Sequence, residues 1–212
     1  MNVVAAPAES KNDTKTRILD AAERVFSGDG FDAASLRTIT TAAQVNLAAV
    51  NYHFHSKEAL FCAVIERRAT PLNKRRIDML EAIPGKLTPE RILEAFLRPV
   101  MERSSTELAL FRPLIARLHS VPVELHKRIL DENFAPTLNR FVDALSVALP
   151  QSSREDLKLG MFFIVGSMSQ AMAWEPIIAD FMGSRNAESF LTRLVSFGAA
   201  GMKAGASKRV NQ

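Results

Sequence analysis

The sequence predicts an all-α fold, with an N-terminal three-helix unit followed by a larger helical bundle, about nine helices in total. Apolar residues recur at offsets of three and four along most of the chain, and no stretch sustains the alternation of a half-buried strand. Capping residues, prolines and glycines punctuate these runs at intervals that suit helix ends.

Asp13 or Thr14 is positioned to cap a first helix whose stripe is Ile18, Leu19, Ala22, Val25 and Phe26. Ser27-Gly28-Asp29-Gly30 ends it, because glycine accepts the left-handed conformation of a helix C-terminus. Phe31 follows as a lid over a small core. Ser35 is the second N-cap, ahead of Leu36, Ile39 and Ala43 on one face. Gln44-Val45 leaves room for little more than a turn. Asn46 then caps a third helix in which Leu47, Val50 and Phe54 repeat the spacing. Helices this short are not stable alone, so the pair must pack on the first helix.

Ser56 caps a fourth helix from about Lys57 past Met79, with a kink expected near Arg67–Pro71 because Pro71 removes a backbone donor. Ile83-Pro84-Gly85-Lys86 is a turn. Thr88-Pro89 starts a fifth helix carrying Ile92, Leu93, Phe96, Leu97, Val100 and Met101. Ser104 and Glu107 form a capping box for a sixth, bearing Leu110, Phe111, Leu114, Ile115 and Leu118 and bent by Pro113. A seventh spans about Val123–Leu149, broken or kinked at Pro136. Ser152 and Glu155 form a second capping box, opening the eighth.

From Leu159 to Ala173 the eighth helix carries no charge. A helix with no solvent face must be covered all round, and this one falls short of the ~20 apolar residues that span a bilayer. The economical cover is the subunit core on one side and a second subunit on the other, with Gly160 and Gly166 permitting close approach. The ninth helix, about Ala187–Met202, ends in the small-residue run Gly198-Ala-Ala-Gly201 and suits the same role. The eighth and ninth helices are thus the expected homodimer surface.

The chain has 27 Lys+Arg against 23 Asp+Glu, a formal charge of +4, which alone establishes no nucleic-acid partner. Asp13, Asp20, Glu23, Asp29 and Asp32 offset the early cations. From Ala33 to Lys57 the only formal charges are Arg37 and Lys57, both positive, among Thr, Asn, Gln, Tyr and His. A short helix pair of this kind suits docking on double-stranded DNA. With so few phosphate-directed cations, useful affinity requires two copies.

The runs TRILDAAERVF, GFDAASLRTIT and NLAAVNYHFHSKEALF closely resemble the DNA-binding domain of TetR-type (tetracycline-repressor-like) bacterial regulators, with Tyr-His-Phe-x-Ser-Lys-Glu-x-Leu the most specific part. The variant AAVNYHF resembles the branch that includes fatty-acid-responsive regulators. The similarity fades after about residue 65, where such proteins diverge to bind different ligands. Two positions depart from the family pattern: Gln44 stands where glycine is usual, and Asn51 where tyrosine is usual. Positive φ at Gln44 would carry strain that glycine avoids. An asparagine amide can pair with an adenine edge.

The expected DNA contacts are Ser35, Arg37, Asn46, Leu47, Ala48, Ala49, Asn51, Tyr52, His53 and Lys57, with Ser35, Tyr52, His53 and Lys57 assigned by resemblance. Ser35 is a cap in any case. Arg37 and Lys57 are phosphate ligands or solvated surface cations. Leu47, Ala48 and Ala49 let the backbone approach the groove and meet thymine methyls, or Ala48 and Ala49 are simply helix formers. Tyr52 and His53 face phosphates by resemblance, whereas His53 is equally suited to partial burial against the first helix.

The domain expectation is a tail at 1–12, a helix-turn-helix domain at 13–57, a ligand-binding and dimerisation domain at 58–203, and a tail at 204–212. Phe96, Met101, Phe111, Leu114, His119, Phe134, Phe141, Phe162, Met168, Met172 and Trp174 are candidate lining for a pocket among the later helices. Leu138 is a further candidate, and Arg112, His119, Asn133 or Gln170 could hold a polar end. Residues of these types at helical spacing are ordinarily core, so the pocket is an expectation set against a solid interior. A mostly apolar or amphipathic effector would suit it. No catalytic constellation, cofactor motif or metal-spaced cluster stands out, and His53 and His55, two apart, point to different helix faces. Cys62 lies in an apolar run and reads as buried filler. With no secretory or spanning segment, a cytoplasmic protein is expected. The expected function is a ligand-responsive regulator, most naturally a repressor. The alternatives are a constitutive dimeric DNA-binding protein, or a helical enzyme with an appended DNA-binding domain.

Overall fold

The computed structural model describes residues 11–101, 110–173, 180 and 187–208. The chain forms two compact units, Met1–Ile65 and Glu66–Gln212, divided within the fourth helix. The division falls two turns later than the sequence boundary after Lys57, because Leu60, Phe61, Val64 and Ile65 are buried in the N-terminal unit. All regular structure among the described residues is helical. None of the described helices is long and apolar enough to cross a membrane.

In the first unit, α1 (Lys11–Ala33), α2 (Leu36–Ala43), α3 (Leu47–Phe54) and the start of α4 (Lys57–Glu81) share one core. α1 begins at Lys11, ahead of the expected cap and inside the expected tail, so Asp13 lies in its first turn where the helix dipole favours an acid. Gly30, at φ 83 and ψ 173, interrupts its helical dihedrals, as the glycine pattern requires. Ile18, Ala21, Ala22 and Phe26 are buried, while Leu19 and Val25 sit half-buried at the edge of the stripe. Phe31 stacks on Phe26 with ring centroids 6.1 Å apart, and Phe61 meets both rings edge-on at 5.0 and 5.1 Å. Cys62 is buried.

In the second unit, α4 continues helically over Pro71 to Glu81. The turn that follows places Gly85 at φ 71, and Arg91 donates to the carbonyls of Pro84 and Lys86 at 2.6 and 3.2 Å. α5 (Pro89–Met101) starts at Pro89, with Arg91 N–H reaching the Thr88 hydroxyl at 3.4 Å. α6 (Phe111–Ala116) ends sooner than expected: it runs past Pro113 to Ala116, and Leu118 lies on a 3-10 turn, Leu118–Ser120. The Ser104 and Glu107 box lies outside the described residues.

The seventh helix of the sequence reading is two helices joined by a π turn. α7 (Val123–Ile129) passes through Leu130–Phe134 into α8 (Ala135–Ala148), so Pro136 falls in the first turn of α8, where its missing donor costs little. The carbonyl of Asn133 in that turn accepts from Asn73 Nδ2 at 2.6 Å. Thus α4 satisfies an acceptor that the irregular turn exposes.

α9 (Arg154–Ala173) and α10 (Ala187–Lys208) are the eighth and ninth helices of the sequence reading. The cap of α9 is Ser153 rather than Ser152: its hydroxyl accepts from Asp156 N–H at 3.1 Å and donates to Asp156 Oδ2 at 2.7 Å. α10 continues to Lys208, well into the expected tail. It packs against α5 and α9, and α9 also packs against α6 and α8. Arg98 bridges Glu94 and Glu188, while Lys203 pairs with Glu90, tying α5 to α10 at the surface.

The small residues expected between subunits divide in two. Gly160 faces Met202 and buried Gly198 faces Ile164 and Leu93, so both serve helix contacts inside the subunit. Gly166 and Gly201 face open space. A Cβ at Gly198 would stand 2.3 Å from Ile164 Cδ1. Gly198→Ala is therefore expected to destabilise the protein by about 1–2 kcal/mol, overpacking outweighing the gain in helix propensity. Urea unfolding would measure this, and a variant as stable as the parent would refute the tight contact.

Candidate functional site

The sequence of α2 and α3 provides its own start signals. Ser35 Oγ accepts from Thr38 N–H at 3.0 Å, and Asn46 Oδ1 accepts from Ala49 N–H at 2.8 Å. Ser56 does the same for α4, accepting from Ala59 N–H at 3.1 Å. All three caps stand where the residue pattern puts them.

Between α2 and α3, Gln44 adopts φ 55 and ψ 46, the left-handed conformation that glycine would take without strain. Its exposed side chain is not what the turn uses. The turn is held by Arg17 of α1, which donates to the carbonyls of Ala43 and Gln44 at 2.8 and 2.9 Å. A cation is well placed there, at the negative end of α2. This clamp was not legible in the sequence, where Arg17 is one of several early cations. Gln44→Gly is expected to raise stability by about 0.5–1 kcal/mol, relief of left-handed strain exceeding the added backbone entropy. A thermal melt at or below that of the parent would contradict it.

α3 ends on a second unusual corner. His55 has φ 65 and ψ −41, and Ser56 N–H donates across it to the Phe54 carbonyl at 2.7 Å, a strained γ-turn. The recognition helix is thus flanked by two left-handed residues that are not glycine.

Val50 and Phe54 anchor α3 in the core. Leu47, expected in the same stripe and also as a DNA contact, is 51% exposed. Ala48, Asn51 and Tyr52 are exposed with it, and Ala49 and His53 are half-buried. Tyr52 meets the His53 ring edge-on at 5.1 Å, and His53 lies 6.1 Å from Phe54. Ser35, Arg37 and Asn46 are exposed. Lys57 is half-buried, its ammonium 3.2 Å from the Asp32 carbonyl and 4.5 Å from the Phe31 ring centroid. The lysine is therefore oriented by the lid rather than left to wander. The exposed face of α3 is narrow and uncharged, shaped for close approach to a polar groove.

The second unit holds a partly open cavity of about 600 Å³. Of the expected lining, Phe96, Phe111, Phe134, Phe162 and Met168 are on its wall, as is Leu138. Leu114 and Phe141 are instead packed core, Phe141 edge-on to Phe96 at 5.1 Å, and Met101 and Met172 are not on the wall. Trp174 and the side chain of His119 lie outside the described residues. Of the expected polar holders, Arg112, Asn133 and Gln170 are not on the wall: Arg112 donates to the Val100 carbonyl, Asn133 to the Ile129 carbonyl, and Gln170 is exposed.

The wall also carries Arg76, which the sequence reading missed. Its signal was present: Arg76 falls four residues from both Leu72 and Leu80, within an apolar stripe that is buried throughout. Arg76 is 3% exposed. Its Nε donates to the Phe96 carbonyl at 2.9 Å, and its guanidinium lies 4.0 Å from the Phe96 ring centroid. Burial pushes its pKa down to about 9, so it remains a cation at neutral pH.

Residues 18–64 match the family described as bacterial regulatory proteins of the tetR family, and residues 94–201 match the tetracyclin repressor-like C-terminal domain. The chain is 31% identical over 99 residues to the HTH-type transcriptional regulator AcrR of Shigella flexneri, covering 47% of this chain and 45% of that protein. It is 36% identical over 78 residues to the HTH-type transcriptional repressor NicS of Pseudomonas putida, covering 35% and 37%. The chain spans less than half the length of these curated relatives. Among solved structures, a transcriptional regulator from Pseudomonas aeruginosa superposes with a TM-score of 0.69 over 94% of this chain and 95% of that one, at 16% identity. The fatty acid degradation regulator FadR of Bacillus halodurans does so with a TM-score of 0.64 over 96% and 98%, at 18% identity. These two likenesses are of fold. The two domain matches, which together take in both units, show that the chain belongs to the TetR family of bacterial regulators.

Proposed function

We propose that the chain is a ligand-responsive transcriptional repressor, binding a palindromic operator in the cytoplasm as a homodimer and released by a mostly apolar small molecule. The observation that carries this reading is α3 itself. It is a capped helix anchored by Val50 and Phe54, with Leu47, Ala48, Asn51 and Tyr52 exposed along one uncharged side. Arg37 and Lys57 flank it as the phosphate ligands, and Ser35 and Asn46 hold the two helix starts.

The dimer surface is the outward side of α9 and α10. Leu159, Phe162, Phe163 and Phe197 are 51%, 69%, 60% and 74% exposed, an apolar set that a second copy of the chain would cover. Two recognition helices in one dimer meet successive major grooves when they stand about 34–36 Å apart. An effector that binds one spacing better than the other shifts the population and so the affinity for DNA. The cavity favours this over a constitutive dimer, since its volume lies within the ~300–1,000 Å³ typical of ligand sites. Within the family, the run AAVNYHF supports a place near fatty-acid-responsive members.

The test is a gel shift on DNA upstream of the chain's own gene, repeated with acyl and aromatic compounds. A specific complex that an effector dissociates is expected. Binding no tighter than to unrelated DNA would overturn the repressor reading.

A further inference from the structure

Among the described residues the cavity wall carries one kind of charge: its ionisable side chains are Arg76, His126 and Lys158, with no acid among them. Lys158 is exposed, whereas Arg76 is buried. None of the ion pairs found among the described residues involves Arg76. A buried guanidinium without a carboxylate is expensive, and proteins that keep one ordinarily supply a counter-charge.

The donors of Arg76 are unequally used. Nε is committed to the Phe96 carbonyl, and the Phe96 ring covers the guanidinium face. Among the described residues the two terminal nitrogens have only weak acceptors, Asn73 Oδ1 at 3.3 Å and the Met168 sulfur at 3.9 Å. Five N–H groups therefore meet one good acceptor and two poor ones. The terminal pair is the half of the fork that binds a carboxylate through two parallel bonds. The rest of the wall is almost wholly apolar: Phe111, Leu138, Val142, Met161 and Val165 are typical of it.

We propose that Arg76 is the anchor for the head group of an anionic amphiphile, a carboxylate on an apolar body, which binds head-inward with its body among these side chains. This rests on the effector reading above and names the chemistry of that effector. The anion supplies the missing counter-charge, so binding is driven by pairing at the guanidinium as well as by apolar burial. A neutral amphiphile of the same shape gains only the second. Arg76 and Lys57 are carried by the same helix, α4, so the head group engages the element that leads into the DNA-binding unit.

The experiment is calorimetric titration of the intact protein with dodecanoate, with 4-alkylbenzoate, and with dodecanol as the neutral comparator. Dodecanoate or the benzoate is expected to bind at least about tenfold more tightly than dodecanol, the usual gain from a charge-assisted pair. Arg76→Met should abolish that preference while dodecanol binding persists, and Arg76→Lys should restore part of it. Which acid binds better distinguishes an acyl from an aromatic source. Equal binding of acid and alcohol by the parent protein, or no binding of any, overturns the proposal without needing a variant. A preference that disappears in Lys158→Met but survives in Arg76→Met also overturns it, placing the head at the exposed lysine. Release of operator DNA is scored separately. If the acid binds through Arg76 and DNA stays bound, the induction mechanism fails and the Arg76 assignment stands. If neutral compounds release DNA and the acid shows no preference that Arg76→Met removes, the Arg76 assignment fails and the induction mechanism stands.

Discussion

Phe163→Glu combined with Phe197→Glu is expected to convert the protein to a monomer and to weaken operator binding by about two to four orders of magnitude. Both rings are largely exposed, on α9 and α10, and neither lines the cavity. Substitution therefore leaves the interior of each unit intact. Glutamates facing each other across a two-fold axis meet like charges in a desolvated contact, a strongly unfavourable arrangement. The loss in DNA affinity follows from geometry: one recognition helix must then bind without the tethered second. Sedimentation would report the mass and a gel shift the affinity. A doubly substituted protein that remains dimeric would place the subunit contact elsewhere.

Arg37→Ala with Lys57→Ala is the second large effect, and its signature is the salt dependence rather than affinity alone. If each residue neutralises one phosphate, a dimer loses four contacts, and the log–log slope of affinity against salt flattens by about 3.6. Operator binding at physiological salt should be nearly lost and partly recovered at low salt, with discrimination between operator sequences little altered. Arg37 is exposed, so its removal leaves the core untouched. Lys57 lies over Phe31, and its removal also frees the lid, which the single variants separate. An unchanged slope would show that these cations do not touch the backbone of the DNA.

What could be read from the chain alone follows the range of the interaction involved. The caps at Ser35, Asn46 and Ser56 are local chemistry, one side chain meeting an amide three residues on, and all three stand where expected. Gln44 was legible through the resemblance, since it stands where related chains have glycine, and its positive φ is the conformation that glycine would take there. Leu47 was read both as part of the apolar stripe and as a DNA contact, and it is exposed, because periodicity marks which residues share a face and not which of them a neighbour covers. The π turn at Leu130–Phe134 escaped notice because proline announces an irregularity without saying which of several repairs the chain adopts. Arg17 and Arg76 were missed because their partners, carbonyls of Ala43, Gln44 and Phe96, are chosen by tertiary folding. The cavity was half legible. Side-chain type nominated Phe111 and Phe141 alike, and only packing put the first on the wall and the second in the core.

The way α3 is held has a consequence for how such proteins diversify. Its pitch is set by Arg17, by the corners at Gln44 and His55, and by two inward side chains, Val50 and Phe54. The side chains at positions 47, 48, 51 and 52 are exposed and contribute less to the fold than the buried Val50 and Phe54. The helix is in effect an interchangeable cassette, a fixed mount with a replaceable reading head. New operator preferences can arise there by single substitutions that leave stability nearly unchanged. Grafting those four positions from a relative should transfer operator preference without redesign of the mount.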